Sequence, residues 1–140
     1  MQSGDSSLQI YSDLLAQKQA ELPTGTLRSP EQFLAALRNR LEAIEDLLAV
    51  KVRLRDLTEK SISRLESDIR TIIIAGIRNT PTKVIQQYIE ASEAVMINLF
   101  GASDELNKAL EELEKRGKTD KYFKHLRACQ TYLKKALDKW

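Results

Sequence analysis

This chain has one cysteine, one histidine, three prolines and five glycines in 140 residues. With only Cys129, no internal disulfide can form, so nothing in the chain asks for an oxidising, secreted setting. With only His125, there is no His-rich metal site and no Ser-His-Asp candidate. No glycine-rich phosphate loop occurs. The opening MQSGDSSLQ lacks the basic and apolar regions of a secretory leader. No window reaches the roughly 20 apolar residues that span a bilayer. A protein without a membrane span, intracellular and cytoplasmic, is the expectation. Scarce Gly and Pro beside abundant Leu, Ala, Glu, Lys and Arg is the composition of long helices. The length suits one domain over 1–140, with residues 1–7 expected to be disordered.

The formal net charge of +2 conceals an asymmetry. From Lys115 onward nine Lys or Arg face only Asp120 and Asp138, a net +7 that leaves −5 for the rest. Such polarity bears on partners rather than on fold.

Apolar residues recur at helical spacing almost throughout. A first helix is predicted from about Ser6 to Glu21, ending in LPTGTLRSP, where Pro23, Gly25 and Pro30 mark a loop. Ser29 suits an N-cap, with Pro30 at the first helical position and Gln32 completing a capping box. From there the stripe Leu37, Leu41, Ile44, Leu48, Ile62, Leu65, Ile69 and Ile72 predicts one helix running on to Gly76. Ser63 with Glu66 marks the alternative, a break near 58–63 that would let the chain fold its own core around the isoleucines at 69–77. Thr80 and Pro81 open the next helix, which Gly101 is expected to kink or restart and Gly117 to end. Thr119 then caps a last helix to Trp140. The fold class is therefore all-α: an up-and-down helical bundle with a short N-terminal helix and three longer ones.

One run stands out, TIIIAGIRNTP at 71–81. It is too short for a membrane and has no second strand pattern to pair with, so it reads as the end of a helix. At 100° per residue Ile69, Ile72, Ile73 and Ile77 share a broad face and Ile74 falls outside it. Ile97 likewise leaves the Val95–Leu99 stripe of the following helix. If those helices pair antiparallel about Asn79, Ile62 lies opposite Ile97, and the short last helix leaves the isoleucine end thinly covered. Ile73, Ile74, Ile77 and Ile97 are therefore the expected protein interface.

The basic end supplies a second surface. Lys121, Lys124, Lys135 and Lys139 are expected on the exposed side of the last helix, with His125 and an aromatic, Tyr132; Arg127 belongs to the same basic patch, and Lys115, Arg116 and Lys118 extend it into the preceding turn. Lysines around an exposed aromatic can track phosphates and stack a base, or dock on an acidic protein surface. Cys129 falls in the buried arc of that helix, where a thiol is inert. Helical-bundle phosphotransfer proteins carry Lys and Gly three and four residues after their histidine; here Ala128 and Cys129 stand there.

The stretch LAALRNRLEAIEDLLAV resembles the opening helix of the all-helical chorismate mutases, with Leu37-Arg38, Leu41-Glu42 and Ile44-Glu45 in the same order. That resemblance implies cations converging on a dicarboxylate. The chain departs from the pattern after Asp46, and Lys51, Arg53 and Arg55 spread around the helix. The reading that follows is non-enzymatic, with no cofactor and no metal: an adaptor or assembly protein working through protein contacts, as a homo-oligomer or with a protein partner. A nucleic-acid accessory protein is the alternative.

Overall fold

The computed structural model describes the backbone of residues 6–20, 30–54, 57–78 and 82–140, and side chains at 7–20, 35–50, 57–74 and 93–140. The described residues form five α-helices and no strand: α1 Ser6–Gln17, α2 Pro30–Leu54, α3 Glu59–Arg78, α4 Thr82–Arg116 and α5 Asp120–Lys139. The all-α expectation holds. The expected loop at 22–29 and the Ser29 and Thr80 caps lie outside the described residues. Ser7, expected in a disordered start, is buried in α1.

α1 stops at Gln17 rather than Glu21 because the chain turns left-handed at Gln19, with φ 53°. The Ala20 amide donates to the Leu15 carbonyl (2.9 Å) and the Gln19 amide to that of Ala16 (3.2 Å), a Schellman closure that satisfies the last carbonyls. Ala20 and Leu15 are both buried, as the apolar contact of that motif requires. Arg40 Nε of α2 donates to the Ala20 carbonyl (3.1 Å), which ties the turn down.

The expected single helix over 30–78 is in fact two, α2 and α3. Thr58 and Ser61 make the break: the Ser61 amide donates to Thr58 Oγ1 (3.1 Å) and the Thr58 amide to Ser61 Oγ (3.0 Å). This is a reciprocal capping box with serine at the position usually held by Glu or Gln. Leu57 and Ile62 occupy the two positions of a hydrophobic staple, and both are buried. The alternative box at Ser63 is not used; Ser63 is an exposed helical residue, and Glu66 serves other partners described below.

α4 runs unbroken through Gly101, so the helix does not restart there. Gly101 answers a packing need: a Cβ at this position would stand 2.7 Å from Cε1 of Tyr132 on α5. Gly117 ends α4 with φ 82°. Thr119 then caps α5, accepting from the Tyr122 amide at 3.3 Å. Both follow the expectation.

α4 packs most extensively on α5 and next on α3; α2 lies against α5 and α3, and α1 against α2 and α3. Leu41, Ile44, Leu65, Ile69, Leu106 and Leu126 centre one core. α3 packs against α4 and, less extensively, against α2, and Ile69, Ile72 and Ile73 are buried within the chain. Of the isoleucines expected to be thinly covered, Ile73 is buried, Ile74 and Ile97 are exposed, and the side chain of Ile77 lies outside the described residues. Ile62 is buried and Ile97 is exposed, so they do not pair. Ser103 Oγ of α4 instead donates to Glu66 Oε2 (3.0 Å), roughly ten residues beyond where an Ile62–Ile97 register would put Glu66.

One polar node joins the three N-terminal helices. Tyr11 Oη of α1 donates to Asp68 Oδ2 of α3 at 2.5 Å. Arg64 Nε (3.2 Å) and Arg40 Nη1 of α2 (3.6 Å) face the same oxygen. The Arg64 guanidinium also lies 5.5 Å from the centroid of the Tyr11 ring. Burial and the adjoining Asp68 carboxylate hold the Tyr11 phenol well above the usual tyrosine range. Tyr11 and Asp68 are both buried, so this carboxylate is compensated from three sides.

Candidate interaction surface

Three helices contribute the groups that sequence reasoning singled out. α3 carries Ile73 into the core and leaves Ile74 46% exposed. The side chain of Ile77 lies outside the described residues. On α4, Ile97 is 63% exposed and Phe100, one turn on, 55% exposed. Phe100 was not anticipated, although the signal was there: at 100° per residue it stands 60° from Ile97 and equally off the buried stripe. Glu93, Asp104 and Glu111 share that outward face of α4.

α5 runs antiparallel to α4. Glu105 meets His125 (2.6 Å), Glu112 faces Lys121 (4.0 Å), and Gly101 receives the Tyr132 ring. In each pair the two residue numbers sum to between 230 and 233. Lys118, Lys121, Lys124, Arg127, Lys135 and Lys139 are all exposed, as expected. Tyr132 and His125 are not part of an open basic face: both turn toward α4 and are only partly exposed. The Tyr132 ring lies against Gly101, and Lys135 Nζ stands 5.9 Å from its centroid. The ring is thus engaged on α4 and is a poor platform for stacking a base.

The remaining reactive groups are spent internally. Burial pushes the Cys129 thiol far up, and neighbouring Glu105 adds to the effect, so it stays protonated. Arg38, in the stretch that resembles a mutase helix, pairs with Glu42; Arg40 pairs with Asp68; and Lys18 bridges to Asp46 at 3.0 Å. These cations face carboxylates of their own chain instead of converging on an open site. Glu66 accepts from Arg70 (2.7 Å) as well as from Ser103. Among the described residues no three His, Cys, Asp or Glu side chains stand together as a metal-ligand set. A shallow apolar groove of about 350 Å³ lies between α1 and α2, with Ile10, Leu14, Leu47 and Val50 along it.

Among the described residues no helix is long and apolar enough to cross a membrane. The chain matches no protein-family model, no curated protein and no solved structure.

Proposed function

We propose that this chain is a non-enzymatic helical assembly protein that acts through protein–protein contacts on the outward side of α4. The carrying observation is Ile97 and Phe100, adjacent on one helix face and each more than half exposed, whereas the other exposed large apolar side chains among the described residues, Ile10, Val50 and Ile74, are each less than half exposed. Covering such side chains contributes about 1.5–3 kcal/mol each, enough to drive association when polar neighbours complement the partner. An up-and-down course of the helices belongs to this reading and is supported by the antiparallel α4–α5 pair. The nucleic-acid alternative loses its aromatic, because Tyr132 packs on Gly101.

A photo-crosslinking amino acid at position 100, introduced into the full chain in its native cells, tests the reading. A discrete crosslinked protein, the chain itself or another, is expected at 100 and not at exposed Ser63 on α3. Equal, diffuse crosslinking at both positions would remove this reading.

A further inference from the structure

Independently of α4, we propose that the outward side of α5 seats in the major groove of double-stranded DNA and holds its phosphates without reading its sequence. At 100° per residue the cations of α5 fall into three rows. Lys121 and Lys139 share one bearing, Lys124 and Lys135 stand about 50° round from it, and Arg127 and Lys134 about 130°. All six are exposed. From Lys121 to Lys139 the rows run about 27 Å along the helix. Lys118 extends them into the preceding turn, and the exposed carboxylates between 118 and 139 are Asp120 and Asp138, one at each end. Seven cations against two anions leave a net +5 on this side.

Little of that charge is spent within the chain. Among the described residues the ion pairs of α5 are His125 with Glu105 (2.6 Å) and Lys121 with Glu112, which at 4.0 Å is too long for a hydrogen bond. Lys134 lies near enough to Glu45 of α2 to favour its charged form. Lys135 rests over the Tyr132 ring, which leaves its charge in place. Lys124 and Arg127 take part in none of these pairings.

An acidic protein, an anionic membrane and a nucleic acid all attract such a surface, and its other properties decide between them. Among the described residues α5 exposes no large apolar side chain. A protein interface buries an apolar or aromatic centre and is depleted in lysine, whereas a DNA interface is polar and strongly positive. A membrane-surface helix turns its apolar face to the lipid, but that of α5, with Phe123, Leu126 and Leu133, is buried in the core. Between nucleic acids, shape selects. An α-helix is about 10–12 Å across and the major groove of B-form DNA about 12 Å wide, while that of duplex RNA is too narrow to admit side chains. The two outer rows of cations then face the two phosphate walls. No base stacks, because Tyr132 is held against Gly101. Asp104 and Glu111, exposed on adjoining α4, repel the backbone and confine the contact to α5.

Fluorescence anisotropy of the full chain with a labelled, mixed-sequence duplex of about 24 base pairs, over about 20–200 mM NaCl, tests this. About five phosphate contacts give a slope of about −4.5 in log affinity against log salt, a loss of about 500-fold between about 50 and 200 mM. Lys124→Glu is expected to weaken binding at least about tenfold and to lower the slope by about 1. Lys60→Glu on α3 makes the same change of net charge at an exposed site and is expected to leave the slope unaltered. Both keep the circular dichroism of the parent, since neither side chain is buried. A parent that binds no duplex at about 100 µM protein and about 20 mM salt overturns the proposal. Equal losses in Lys60→Glu and Lys124→Glu overturn the role of α5. Tighter binding to the single strand, or to an RNA duplex of the same sequence, overturns the groove seat. Tighter binding to polyglutamate, or to vesicles of mixed phosphatidylserine and phosphatidylcholine, overturns it in favour of an acidic protein or a membrane surface.

Discussion

Replacing Gly101 with alanine will destabilise this protein, although the same change in most helix interiors stabilises. Two terms oppose each other. Alanine in place of a mid-helix glycine gains about 0.5–1 kcal/mol, mostly by narrowing the unfolded ensemble. Against that, the new Cβ would stand 2.7, 2.8 and 2.9 Å from three atoms of the Tyr132 ring, closer than carbon atoms approach in proteins. Tyr132 cannot simply swing away, because it is partly buried on α4. Forcing a ring or a helix aside in this way costs about 1–3 kcal/mol. The net effect is a loss of about 0–2 kcal/mol. The double-mutant cycle is sharper than either single value. In a Tyr132→Ala background the ring is gone, so Gly101→Ala becomes stabilising by about 0.5–1 kcal/mol. A coupling of at least about 1 kcal/mol between positions 101 and 132 is expected. Urea denaturation of the four proteins, followed by circular dichroism, measures it. If Gly101→Ala raises the midpoint equally with and without the tyrosine, the close approach of α4 and α5 is refuted.

Two further outcomes are expected. Asp68→Ala strips Tyr11 and two arginines of their shared acceptor and costs about 3–5 kcal/mol in denaturant titration; a loss below about 1 kcal/mol would mean the node is solvated. Tyr122 is buried with a hydroxyl that meets no hydrogen-bond partner among the described residues, so Tyr122→Phe gains about 1 kcal/mol at neutral pH. Burial also raises the Tyr122 phenol from its ordinary 10.0 to about 12, so the neutral form is the one the fold favours. That contribution is intact below pH 10.0 and is lost as pH climbs toward about 12, so thermal melts of Tyr122→Phe fall less steeply with pH across that interval than those of the parent. Parallel slopes would show that the phenol is hydrated.

How far the fold could be read from residues depends on the range of the interaction concerned. Gly117 and Thr119 were legible because a left-handed glycine and a threonine cap act within four residues of themselves. Thr58 entered only as one end of the alternative break, because its partner is Ser61, and serine is a weak sign of the third position of a capping box. Reading α2 and α3 as one helix set Ile62 opposite Ile97, whereas Ile62 is buried and Ile97 exposed. Ile74 and Ile97 were legible as residues off the stripe of their own helices, and both are exposed. Gly101 was read by its backbone freedom, whereas its place is set by Tyr132, 31 residues away. The Asp68 node needs the relative placement of α1, α2 and α3, which no local pattern carries.

The Tyr11–Asp68 bond spans 57 residues, whereas the Glu105–His125 pair closes a span of only 20. Chain closure favours the shorter span, and local contacts form early in folding. The Arg40–Ala20 bond between α2 and the end of α1 also spans only 20, so both terminal helix pairs close early. α1 packs least extensively on the rest of the fold and is therefore the first helix to depart. A fluctuation that releases Tyr11 hydrates Asp68 and uncovers the α2 side of the apolar groove while the α4–α5 pair stays closed. Amide hydrogens of α1 then exchange with solvent well before those around Leu106 and Leu126. The α4–α5 pair is the dial, and the N-terminal helix is the hand that moves.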